Sequence, residues 1–328
     1  MRNTLLAGCF VLAAAVTGAD DTAKLHKPVS VHPVSQSEGK SLRDKCSVQT
    51  KLLQHQMYQQ YRERLARGSD VPPLHEMGYR VFSQTDDDGK LLYIFALLGV
   101  KNGIFVDIGS ADGIDSNCAN LAIHFGWHGL FLDMDRELIE TGRDFYTRQA
   151  NTFLFPPVFK KAFVTPGNVN ELITREGFTG EVDLLSVDID GTDYWVWDAL
   201  ICIQPKVVII ESQLTFGMRS IVVPYEEADR SSGSHPYYFG ASPLALTRLA
   251  ERKGYRLVGS NFHGYNLIFV HNGLGEKLLP RVVVETVLRH PSARMNEDDF
   301  KKIESLRYTV IDSPVRQGAA GDADKQHR

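Results

Sequence analysis

The chain has 328 residues, 43% hydrophobic and 23% charged, which is enough length and apolar content to bury one large core or two small ones. Its 36 Lys+Arg stand against 40 Asp+Glu, a formal net charge of −4, so the basic surplus of a nucleic-acid binder is missing. Four cysteines are too few for a disulfide scaffold, and no apolar run reaches the roughly 18–20 residues that span a bilayer.

Met1-Arg2-Asn3 makes a short basic start, residues 5–16 are apolar, and Thr17-Gly18-Ala19 puts small residues at the −3 and −1 positions of a cleavage site. This layout predicts a signal peptide over residues 1–19 and a secreted, periplasmic or lumenal mature protein. Leu6-Ala7-Gly8-Cys9 also matches a lipoprotein box, but the apolar run continues past the cysteine. Cleavage after Ala19 removes Cys9 and leaves Cys46, Cys118 and Cys202. An odd number means that at least one thiol is free or pairs between chains. Cys118 and Cys202 fall in apolar helical contexts, where a small core residue is expected.

Residues 20–40 are polar, carry Pro28 and Pro33, and read as a linker. Ser41-Leu42-Arg43-Asp44 is a capping-box pattern that predicts a helix start. Cys46, Leu53, Met57, Tyr61 and Leu65 then recur at helical spacing as far as Gly68, a stripe expected to dock on the main domain. Residues 20–75 thus form a linker and helical extension to a domain over 76–290. Within it, helices are predicted at 90–98, 117–125, 136–149, 169–176 and 194–200, and strands at 103–108, 129–133, 161–164, 182–188 and 206–211. Short apolar strands alternating with helices specify a parallel sheet covered on both faces. The rhythm breaks over 212–238, which reads as loops, and resumes with a helix at 242–253. Strands at 255–260 and 266–271 are joined by Asn261-Phe262-His263-Gly264, which is hairpin chemistry. The remaining residues, 291–328, read as a C-terminal helix and a tail that is polar and Gly/Ala-rich from Gln317.

Three strand ends carry chemistry. The first reads Val106-Asp107-Ile108-Gly109-Ser110-Ala111-Asp112-Gly113: an acid at the strand end, then glycines that let a ligand or another backbone come close. It is not the dinucleotide fingerprint, and Asp107 and Asp112 would repel a pyrophosphate, so a ligand with a cationic amine fits better. The second ends in Asp133-Met134-Asp135. An acid at that tip is placed to accept hydrogen bonds from ribose hydroxyls, while Asp135 suits the cap of the next helix. The fourth ends Ser186-Val187-Asp188-Ile189-Asp190-Gly191-Thr192-Asp193. Clustered acids there can raise one another's pKa or hold a divalent ion, or serve a helix N-terminus, which explains Asp193 better than Asp188. No Glu completes the twelve-residue calcium loop that the segment resembles.

These segments, with residues 206–211, the closing 254–257 and 266–270, and Phe82-Ser83-Gln84-Thr85-Asp86-Asp87-Asp88-Gly89, together resemble the FkbM-type S-adenosylmethionine-dependent methyltransferases from about Tyr79 to Val270. The resemblance implies a Rossmann-like seven-stranded sheet, mostly parallel, whose last two strands form the hairpin. It implies S-adenosyl-L-methionine as cofactor, with Asp107, Gly109 and Gly113 lining its methionine part, Asp133 holding the ribose, Ala162 and Phe163 near the adenine, and Asp188 facing the transferring methyl. Two positions depart from the family pattern: Ser186 stands where many members have lysine, and Asp190 where the motif has glutamate. Methyl transfer needs a nucleophile aligned about 3 Å from the methyl and a group to take its proton. The candidate bases are Asp188, His235 in the 231–238 loop and His263 at the hairpin turn. Trp195 and Trp197 are expected to pack.

The reading this favours is O-methylation of a hydroxyl on a sugar or small metabolite, with a small-molecule or glycan acceptor, no nucleic-acid partner and no metal. Two alternatives stand beside it. The Asp-x-Asp pairs at 133–135 and 188–190 also fit a metal-dependent glycosyltransferase. A non-catalytic binding protein that keeps the fold would explain an exported chain, because S-adenosylmethionine is made in the cytosol.

Overall fold

A computed structural model describes residues 36–228 and 235–312. The expected signal segment and the tail from Gln317 lie outside the described residues, as does most of the expected linker. The chain divides between Arg43 and Asp44 into two units. Of the first, the described part is helical: residues 36–43 belong to α1 (Gln36–Lys45). Residues 36–40 are therefore helix and not linker.

In the second unit, α2 (Val48–Ala66) begins at Ser47, whose side chain accepts the Thr50 N–H. Ser41, the expected cap, lies inside α1. Of the expected apolar stripe, Leu53 is exposed, Cys46, Met57, Tyr61 and Leu65 are half-buried with Tyr61 edge-on to Tyr93, and the fully buried residues of α2 are Gln54 and Tyr58. The helix docks through polar groups that need fixed partners: Gln54 Oε1 accepts from Tyr79 Oη at 2.7 Å and from Asn120 Nδ2 at 3.1 Å, and Arg62 donates to the Ala96 carbonyl. Tyr58 and His55 pack on Phe125.

The remaining elements follow in order: α3 (Asp87–Leu98), β1 (Ile104–Ile108), α4 (Ala119–Phe125), β2 (His128–Asp133), α5 (Arg136–Thr147), β3 (Val158–Lys161), α6 (Val169–Arg175), β4 (Gly180–Val187), α7 (Asp193–Ala199), β5 (Ile203–Glu211), β6 (Ile221–Val222), α8 (Tyr225–Ala228), α9 (Pro243–Arg252), β7 (Tyr255–Ser260), β8 (Asn266–His271), α10 (Val284–Val287), α11 (Pro291–Phe300) and β9 (Thr309–Val310). Seven strands form one sheet in the order β3-β2-β1-β4-β5-β8-β7. The first five are parallel, and β8 and β7 are antiparallel. This is the expected Rossmann-like sheet closed by a hairpin. The segment 212–238, expected as loops, contributes β6, which pairs with β9 from the C-terminal region.

The third strand sits three residues earlier than predicted. Val158 and Phe159 pair with Leu130 and Phe131, and the strand ends at the edge with Lys160 and Lys161 exposed, as edge strands commonly do. Ala162 and Phe163 thereby fall just beyond its carboxyl end. On the central strands, alternate residues serve opposite faces. Val106 and Ile108 join Val169, Val196, Trp197 and Leu246 in the larger core, while Phe105 packs on Phe131 across the other face. Trp197 is buried, and Trp195 Nε1 donates to the Val223 carbonyl, so both tryptophans pack.

Candidate functional site

The parallel strands end on one side, and the order reverses between β1 and β4, the switch point at which open α/β sheets bind ligands. The Gly109 N–H donates to the Leu132 carbonyl at 2.8 Å, and the Asp188 N–H to the Ile108 carbonyl at 2.9 Å, so the turns after β1 and β4 lie against each other. Gly109 has φ +84°, and a Cβ there would come 1.7 Å from the Asp188 carbonyl oxygen. Only glycine meets both demands. Gly113 serves the packing behind the turn instead. Its carbonyl accepts the Tyr146 hydroxyl at 2.6 Å, and a Cβ would press on Phe159 and Phe131.

Asp133, at the tip of β2, accepts the Ala111 N–H on one oxygen and the Asp135 N–H on the other, both at 2.8 Å. Asp135 caps α5 by accepting from Glu137 and Leu138, as expected of it. Beyond β4, Asp193 is buried and accepts the Ile189 and Gly191 N–H groups, which fixes the loop that carries Asp190. Among the described residues, the non-glycine positive-φ positions are Ala111 (φ 48°) and Asp190 (φ 55°). Both line the same cavity, and such backbone strain concentrates at functional sites.

That cavity has a volume of about 570 Å³, and Gly109, Asp133, Phe163, Asp188, Asp190 and Glu211 are among the residues around it. A polar recess of about 60 Å³ adjoins it, lined among others by Asp107, Ser116, Asn117, Ser186 and Asn266. Of the residues singled out in the sequence, Gly109, Asp133, Ala162, Phe163 and Asp188 line the larger cavity and Asp107 the recess. Gly113, His235 and His263 are not among the described residues lining either. The His235 Nδ1 accepts the Tyr237 N–H, and His263 lies between the Tyr265 and His290 rings.

Burial raises the Asp107 carboxyl to about 6 against the opposing hydrogen bonds from Ser116 and Ser186, and its Oδ2 accepts the Ser116 hydroxyl at 2.5 Å. Burial, followed by the charges of Asp193 and Asp190, raises Asp188; burial and then Asp188 raise Glu211. The two carboxyls are close enough to interact, so they titrate as a pair. Carboxylate oxygens of Asp188, Asp190 and Glu211 lie within 4.8 Å of one another, a donor set that could hold a divalent ion.

Sequence reasoning missed Gln84, Asn117, Asn266 and Glu211 as site residues. Glu211 was within reach, since it is an acid at the carboxyl end of an apolar strand, as Asp107, Asp133 and Asp188 are. The other three come from turns and a hairpin whose approach to the site depends on tertiary packing.

No protein-family model matches the chain, and no curated protein sequence matches it. Solved structures do. An O-methyltransferase from Bacillus cereus in complex with SAH is 14% identical at a TM-score of 0.38, over 73% of this chain and 92% of that one. TnmH is 14% identical at a TM-score of 0.34 over 52% of this chain. An O-methyltransferase family protein from Burkholderia thailandensis is 14% identical at 0.34 over 56% of this chain. The matches span 50% of TnmH and 57% of the Burkholderia protein. The strand order, and not these likenesses, fixes the fold.

Proposed function

We propose that the protein is an S-adenosylmethionine-dependent methyltransferase of the FkbM type, exported through its N-terminal signal, that methylates a hydroxyl of a sugar or small metabolite. The observation that carries the reading is the cavity of about 570 Å³ at the carboxyl ends of the parallel strands, entered by the Gly109 turn and Asp133. Its size suits a small-molecule site.

The residues fit the cofactor. Each Asp133 oxygen gives one lone pair to a backbone amide, which leaves further acceptor capacity on both for a diol. Asp107, buried at the recess, offers a carboxylate to an ammonium group. Phe163 is 60% exposed at the cavity edge, an apolar surface for a flat ring. When bound, S-adenosylmethionine supplies an electrophilic methyl group to in-line displacement. This chain's part is to orient the acceptor and remove its proton. The Asp188–Glu211 pair, raised above the ordinary carboxylate range, is the base nearest to hand, since a raised carboxylate accepts a proton more readily near neutral pH.

Metal-dependent glycosyl transfer draws on one observation, the Asp188–Asp190–Glu211 trio. Its second motif is half occupied, because Asp135 caps α5. Thermal unfolding of the full chain tests both readings. S-adenosylhomocysteine at about 100 times its Kd adds about 2.7 kcal/mol, which raises Tm by several degrees at roughly 2–4 °C per kcal/mol. The rise should vanish in Asp133→Ala. No rise at saturating ligand, with a rise on a UDP-sugar plus Mn²⁺, would replace the methyltransferase reading with the other.

A further inference from the structure

Four residues line both the larger cavity and the recess: Gln84, Gly109, Ala111 and Asp188. Three stand at the carboxyl ends of β1 and β4. Gln84 comes from elsewhere, the turn that leads into α3, and that turn is held with unusual completeness. A single oxygen of Asp88, Oδ2, accepts the N–H groups of Val81, Phe82 and Ser83 at 2.7, 2.6 and 2.9 Å, and the Ser83 hydroxyl at 2.9 Å. Phe82, Ser83 and Asp88 are buried, while Gln84, the next residue in the chain, is exposed. A second tie fixes the other end of the turn. The buried Lys90 ammonium joins Asp86 Oδ2 at 2.7 Å to the Ser260 carbonyl at 2.8 Å, and Asp86 Oδ1 accepts the Phe262 N–H at 2.7 Å. The turn is thus bound both to α3 and to the β7–β8 hairpin, with Gln84 at the junction of the two cavities.

The chemistry at that junction is selective. Asp107, Asp188, Asp190 and Glu211 already supply negative charge. A carboxamide adds an acceptor oxygen and two donor hydrogens without adding to that charge. On the cofactor reading above, on which this step rests, the recess takes the charged amino-acid end and the larger cavity the nucleoside. The sulfur that joins them then passes the junction. We propose that the Gln84 carboxamide oxygen lies against this sulfonium centre, and that Asp88 is the positioning residue that holds it there. A carbonyl dipole so placed favours S-adenosylmethionine over S-adenosylhomocysteine, whose sulfur is neutral. The pair of residues therefore sets how readily the spent cofactor is exchanged for the fresh one.

Titration calorimetry of the full chain with each cofactor form tests this without knowledge of the acceptor. The quantity read is the ratio of the two affinities. Gln84→Ala should lower the preference for S-adenosylmethionine about tenfold, the size of one charge-assisted contact, and Gln84→Glu should raise it. Asp88→Asn should shift the ratio in the same direction as Gln84→Ala. Ser83→Ala, which removes one of the four bonds to Asp88, serves as the milder variant if Asp88→Asn does not fold. Ratios within twofold of wild type in both Gln84 variants would overturn the role of Gln84. A ratio moved by Gln84 but by neither clasp variant, even where Tm falls, would reduce Asp88 to a purely structural residue. A wild type that binds neither form would remove the cofactor reading and this inference with it.

Discussion

Replacing Asp188 by asparagine should stabilise the protein at high pH and flatten its pH dependence. Carboxylate oxygens of Asp188, Asp190 and Glu211 lie within 4.8 Å of one another. Two unit charges at that separation repel by roughly 3.5 kcal/mol at an effective dielectric constant of about 20, and water in the open cavity screens this to about 2 kcal/mol. Both Asp188 and Glu211 are raised, by burial first and neighbouring carboxylates second. The folded state therefore binds more protons than the unfolded chain over the window between the ordinary carboxylate range and the raised values. Stability is fully present below that window and is lost as pH climbs through it. Asp107, raised to about 6 by burial, acts in the same direction and is common to wild type and variant. In Asp188→Asn the repulsion is gone, and the new amide can donate to Glu211. Urea unfolding at pH 5, 7 and 9 measures the difference. The variant should gain about 2 kcal/mol on wild type between the lowest and highest pH. Parallel pH profiles for the two proteins would refute the electrostatic account of this cluster.

Two substitutions test the scaffold. Gly109→Ala should destabilise by about 3 kcal/mol or more, because the new Cβ meets the Asp188 carbonyl oxygen at 1.7 Å while φ is +84°; an unchanged denaturation midpoint would contradict the close approach of the β1 and β4 turns. Gln54→Ala should cost about 1–3 kcal/mol, since it strips the acceptor from both Tyr79 and the buried Asn120. Leu53→Ala on the exposed side of α2 should cost little, and the reverse ranking in urea unfolding would contradict docking through Gln54.

The sheet was legible in the sequence because buried parallel strands read as apolar runs closed by acids and glycines, as at Val106 to Gly109. The hairpin was legible in Asn261 and Gly264, whose local chemistry makes the turn: Asn261 Oδ1 accepts the Gly264 N–H at 2.8 Å. The third strand was misplaced because its pairing with β2 is set by the Phe159–Phe131 contact, and an edge strand with two exposed lysines has no apolar run to announce it. The polar part of the docking face of α2 was not legible for a related reason. Gln54, His55 and Arg62 turn inward to reach particular atoms on other helices, which periodicity in hydrophobicity does not register. At the site, strand-end acids were visible one by one. That Asp188 and Glu211 come together, and that Gln84 stands between two cavities, depends on the sheet order and on a turn fastened by Asp88.

A structure of the full chain crystallised with S-adenosylhomocysteine tests the central claim most directly. The account predicts the ribose hydroxyls on Asp133, the adenine beside Phe163 and the amino-acid end in the recess at Asp107. A nucleotide–metal complex held by Asp188, Asp190 and Glu211, or a cavity that stays free of S-adenosylhomocysteine at saturating concentration, would contradict it.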